Sequence, residues 1–286
     1  MRAGSGTTEQ RPRFRAIPAF AHVVVAIYRN FGAALRMSWP WMLVYAGVQT
    51  LALLFQPDVL VVLSGDGPAA LRMTSSGWWT VALLMGISML AFSSLAVNWH
   101  RLLLLDEEAE GVERLRLDGL LWRYLGNTAL LILTLVPVAV IAMIAGLSIS
   151  FSVFGSGNGM GSFLLAFGIA LLPVAVVLVV LERLMIKLPA IAIGRSDYGF
   201  GAAWDDSRGE FLSLAGFVLM VLGTTYGLGL LASVPFTLLS AVLGTHGGLG
   251  PLIGSLWQLA INWIGWIIGL NAITTLYGIL AEGREV

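Results

Sequence analysis

The sequence predicts an all-α integral membrane protein with six transmembrane helices and interfacial amphipathic helices between them. Three observations predict it. The 286 residues are 58% hydrophobic and only 11% charged, against about a quarter charged in soluble domains. Mean hydropathy is +0.87. Six apolar stretches, 37–55, 78–98, 128–154, 163–181, 212–243 and 252–280, each reach the ~20 residues that a span requires.

The first 16 residues are polar and basic, MRAGSGTTEQRPRFRA, and read as a disordered tail (1–16) ahead of one membrane domain, 17–286. They lack the short apolar core and small-residue cleavage site of a signal peptide. The third, fifth and sixth stretches exceed the length of a span, so they tilt, kink or project from the lipid. Pro137, Pro173 and Pro235 sit inside the third, fourth and fifth, where a proline removes one backbone hydrogen bond. Gln56–Gly77 forms the first outer connection, and the Gly-rich 155–162 and 244–251 form the others.

Basic residues set the orientation. Of the 16 Lys and Arg, only Arg72 lies in an outer connection. The rest precede the first span, lie between the second and third or the fourth and fifth, or follow the sixth. The positive-inside rule makes that side cytoplasmic, with both termini inside.

A pattern recurs about every 90 residues, as in repeated helical hairpins. A stripe at helical spacing precedes the first span (Phe20, Val24, Ile27, Tyr28, Phe31, Leu35), the third (Leu117, Leu120, Leu121, Tyr124, Leu125) and the fifth (Phe200, Trp204, Ser207, Phe211). Such helices lie in the membrane interface. Arg29, Arg123 and Arg208 recur near their ends, and a pseudo-threefold bundle is the expected arrangement.

RLMIKLPAIAIGRSDYGFGAAWDDSRGEF, WHRLLLLDEE and TLYGILAEGRE together resemble a family of uncharacterised bacterial six-span inner-membrane proteins. More distantly, the region from Phe20 to Val286 is similar to the membrane domain fused to some glycerophosphodiester phosphodiesterases. The resemblance implies the bacterial inner (plasma) membrane. It carries no catalytic residue, because the hydrolase chemistry of those fusions lies in a separate soluble domain.

The chemistry-bearing residues are few. There is no Cys, which removes disulfides and thiolate chemistry. Net charge of +0 gives no reason to expect nucleic-acid binding. His22, His100 and His246 are scattered, the acidic run 106–113 lacks calcium-loop spacing, and no metal or cofactor is expected. The leading site is a polar cluster at the cytoplasmic ends of the spans: His100, Arg101, Glu182, Arg183, Lys187 and Arg208. Facing inward, it would hold an anionic headgroup or a solute carboxylate. Facing outward, its long basic side chains would snorkel to the headgroups. The sixth span adds Gln258, Asn262, Asn271 and Thr275, a polar path or a set of interhelical hydrogen bonds. Gly223–Gly227 and Gly265–Gly269 are GxxxG pairs that invite close helix approach.

Three function classes follow. A non-enzymatic envelope protein would bind membrane lipids, a protein partner or a second copy of itself. A small-solute transporter or channel would use the polar sixth span, although no ionisable residue lies near the middle of a span. An intramembrane lipid-modifying enzyme would have only the Glu182 region to work with, and no catalytic motif marks it.

Overall fold

A computed structural model describes residues 14–55, 75–154, 160–243 and 250–285. The outer connections expected at 56–77, 155–162 and 244–251 lie largely outside the described residues, as does residues 1–13 of the tail. The last three residues of that tail are structured. Phe14 is buried edge-on against Phe217, and Ala16 opens the first helix.

Among the described residues, eight α-helices follow in order: α1 (Ala16–Phe55), α2 (Ser75–Leu105), α3 (Gly119–Phe154), α4 (Met160–Met185), α5 (Lys187–Ala192), α6 (Phe200–Asp206), α7 (Phe211–Leu243) and α8 (Gly250–Leu280). A 3₁₀ turn, Gly111–Leu115, joins α2 to α3. Six helices are long and apolar enough to cross a membrane, and each expected span falls within one of them. Helices α1, α3, α4 and α7 run unbroken through Pro40, Pro137, Pro173 and Pro235.

The stripes before the first and third spans are not separate interfacial helices. Helix α1 is continuous over 40 residues, about 60 Å at 1.5 Å per residue, twice the hydrocarbon thickness. Its packed face is a row of mostly small residues, Ala19, Val23, Ala26, Ala33, Ala34 and Met37, while Val24, Tyr28, Phe31 and Leu35 of the expected stripe point outward. Small side chains let neighbouring helices come close, so they win the inward face. Only the third stripe yields a separate short helix, α6.

The core is concentrated at one end of the bundle. One cluster joins Phe14, Val23, Ile186, Tyr198, Phe217, Leu276 and Tyr277. A second joins Met37, Trp99, Tyr124, Leu188 and Trp263, and a small third sets Ala52 with Leu84. Toward the opposite end, Leu54, Trp79, Leu133, Leu172, Leu230 and Leu238 are exposed. The clustered end also holds most of the described Lys and Arg, and cross-links such as Arg36–Glu108 and Arg284 to the Leu104 carbonyl close it. It is the basic end below.

Local sequence explains its turns. Asp118 precedes α3, and its Oδ1 accepts from the N–H groups of Leu120 and Leu121, an N-cap. Gly194 stops α5 at φ +82°. The Gly194 N–H donates to the Ile191 carbonyl and the Arg195 N–H to the Ala190 carbonyl, the paired bonds of a Schellman cap.

The GxxxG expectation holds at one glycine of four. A Cβ on Gly265 would stand 3.2 Å from the Thr225 methyl, whereas Gly223, Gly227 and Gly269 have no atom within 4 Å. The tighter contact is at Gly254, where a Cβ would lie 2.7 Å from the Phe236 ring.

Candidate functional site

His100 lies near the basic end of α2 and is 0% exposed. Its Nδ1 is 2.7 Å from Thr274 Oγ1 on α8, and its Nε2 is 3.1 Å from the Tyr124 hydroxyl on α3. Thr274 Oγ1 already donates to the Leu270 carbonyl, so it accepts from His100. That places the proton on Nδ1 and makes Nε2 the acceptor for Tyr124. Both ring nitrogens are spent on three-helix cohesion, which corrects the expectation that His100 holds a ligand.

Arg183 also faces the protein rather than the headgroups. It is 7% exposed. Its Nε donates to Ser207 Oγ at 2.8 Å, its Nη2 donates to the Trp204 carbonyl at 2.8 Å, and the guanidinium lies 3.6 Å from the Trp204 ring centroid. It pins α6 to α4. Lys187 donates to Asn127 Oδ1 at 2.7 Å and stands 3.9 Å from the Phe200 ring centroid, tying α5 to α3. Neither residue snorkels, and neither is free for a ligand.

Glu182 is half-buried, and its Oε2 is sealed without a hydrogen-bond partner. Val179, three residues earlier on α4, and Ile186, just past its end, belong to the core, so that side of the helix turns inward. No described hydrogen bond or ion pair joins Glu182 to Arg183 or Arg101. Arg101 donates instead to the Ala192 carbonyl at 3.2 Å and pairs with Glu107. Arg208 is exposed, as are Arg29 and Arg123. The six residues expected to form one cluster are therefore distributed among separate contacts.

The sixth-span residues divide by depth. Asn271 is buried and donates Nδ2 to the Val23 carbonyl at 2.6 Å, leaving its Oδ1 unpaired. Thr275 is buried one turn on. Gln258 and Asn262 are exposed and bond to each other at 3.0 Å. They do not form one polar path with Asn271.

The sequence reading missed several polar anchors. Asn98 Nδ2 donates to the Glu113 carbonyl and its Oδ1 accepts from Arg116 Nε, while Arg116 also pairs with Asp118. At the other edge, Arg195 donates to the Tyr277 hydroxyl and pairs with Asp197. That pairing holds the Asp197 carboxyl below its usual range. Burial, and then its hydrogen bond to Asp206, push the Tyr198 phenol up. The signal in the sequence was the density of short polar residues just past the spans, but their partners lie on other helices. The acidic run is ion-paired through Glu107 and Glu108, and the described residues contain no grouping suited to a metal ion.

Among the described residues, two cavities lie between spanning helices. One of about 20 Å³ lies between α1, α2 and α8 beside Trp41 and Trp263. The other, about 250 Å³, is a groove between α2, α3 and α8. The chain matches no protein-family model, no curated protein and no solved structure.

Proposed function

We propose that this chain is a non-enzymatic, multi-pass protein of the bacterial inner membrane, with both termini cytoplasmic, that works by binding membrane lipid along its flank. The reading agrees with the six-span family its motifs resemble. One observation carries it: the basic end is closed by its own side chains, while the cavities among the described residues lie between spanning helices. The basic residues suited to a water-soluble anion are engaged by Ser207, Asn127 and backbone carbonyls.

Native mass spectrometry of the protein, extracted gently from its own membrane, tests this. A retained phospholipid class supports lipid binding. A retained water-soluble molecule moves the reading to a transporter, and a bare protein moves it to a protein scaffold. Orientation has its own check, because the chain has no cysteine. A cysteine placed at exposed Arg208 should react with an impermeant maleimide only after the cytoplasmic face is opened. Labelling of intact spheroplasts would reverse the topology.

A further inference from the structure

The groove between α2, α3 and α8 contains two hydroxyls that break a habit of this chain. Many of its helical Ser and Thr turn the hydroxyl back onto the carbonyl four residues earlier, as at Ser38, Thr50, Thr134, Ser148 and Thr274. Ser93 on α2 is 1% exposed and Thr128 on α3 is 7% exposed. Both line the groove, and neither hydroxyl has a hydrogen-bond partner. A buried polar group left unpaired is costly, and both residues line the same groove with their hydroxyl oxygens just behind its wall.

The other walls are apolar. Met89 and Phe92 of α2, Ile132 of α3 and Trp266 of α8 line the groove, and Trp266 packs edge-on to Phe92. Its volume of about 250 Å³ falls just below that of small-molecule pockets, so it fits part of a chain rather than a whole lipid. Ser93 stands five residues from the basic end of its span, about 8 Å at 1.5 Å per residue, and Thr128 begins its own span. Exposed Trp122, six residues or about 9 Å nearer that end on α3, marks the membrane interface. At this depth a bilayer offers the ester carbonyls of its glycerolipids, which accept hydrogen bonds and donate none.

We infer that this groove seats the ester region and upper acyl chain of one membrane glycerolipid, with Ser93 and Thr128 donating to its carbonyl oxygens. The inference rests on the lipid-binding reading above and locates it.

The test compares ester-linked phosphatidylglycerol with its ether-linked analogue, which keeps headgroup and chains but lacks the carbonyls. Each is titrated into the purified full-length chain in detergent, with thermal stabilisation and lipid retention by native mass spectrometry as readouts. The wild type should bind the ester lipid about tenfold more tightly, since each hydroxyl contributes a modest intramembrane hydrogen bond. Ser93→Ala with Thr128→Val should abolish that preference, yet melt no lower than wild type without lipid. Met89→Trp, which fills the groove and leaves both hydroxyls in place, should weaken both lipids. Equal binding of the two lipids to wild type, or an undiminished preference in the double variant, overturns the assignment while leaving lipid binding intact. A wild type that retains neither lipid overturns both.

Discussion

Replacing Arg183 with Met and Ser207 with Ala, singly and together, asks whether this arginine is a buried peg or a headgroup anchor. In the structure it makes two hydrogen bonds of 2.8 Å and lies 3.6 Å from the Trp204 ring centroid. Hydrogen bonds to a charged group net about 1.5–3 kcal/mol each, and a cation–π contact adds about 0.5–2. Their sum is an upper bound, because taking a guanidinium out of water opposes it and polar contacts between spanning helices average nearer 0.6. Arg183→Met is therefore expected to cost about 3 kcal/mol, and Ser207→Ala, which orphans Nε, about 1.5. The two changes remove one shared bond, so the double variant should fall short of additivity by about 1–2 kcal/mol. Equilibrium unfolding in mixed micelles of rising SDS fraction supplies the four stabilities. A snorkelling arginine gives another pattern, with Arg183→Met within about 0.5 kcal/mol of wild type. A coupling below about 0.5 kcal/mol would refute the peg.

Three further outcomes follow from the same contacts. Tyr124→Phe and Thr274→Val each leave one nitrogen of buried His100 unpaired and should cost about 1–2 kcal/mol in that unfolding assay; a neutral result for both would show that water or another group serves the ring. Glu182→Gln replaces a carboxylate whose Oε2 has no partner with a neutral amide, so stability should hold or rise by up to about 1 kcal/mol, and a clear loss would reveal an ionic partner. The Arg36 guanidinium holds the Glu108 carboxyl below its ordinary value of 4.5. Its contribution to stability is therefore complete above that pH and lost as pH falls through the depressed value. The effect is small because the pair is largely exposed, and Arg36→Gln should flatten the melting profile below about pH 4.5.

Depth was legible in the sequence, and facing was not. The hydropathy that marks 37–55 and 212–243 as spans is a sum over consecutive residues, which needs no knowledge of neighbours. The Asp118 cap and the Gly194 stop are equally local, although the sequence reading did not single them out. The stripe from Phe20 to Leu35 shows the limit. It has a genuine helical period, but the packed face of α1 is the neighbouring row from Ala19 to Met37. Which row turns inward depends on how closely α7 and α8 approach.

The site divides in the same way. Sequence alone determined an all-α chain with six spans, nearly all its positive charge at one end, and polar residues gathered at His100–Arg101 and Glu182–Lys187. Tertiary structure decided that His100 meets Thr274 and Tyr124, that Arg183 meets Ser207 and Trp204, and that Ser93 and Thr128 line one groove with their hydroxyls unpaired. Position along a helix axis follows from composition, which adds residue by residue. Rotation about that axis follows from shape and hydrogen-bond complementarity with helices far away in sequence, and that information exists only once the bundle has packed.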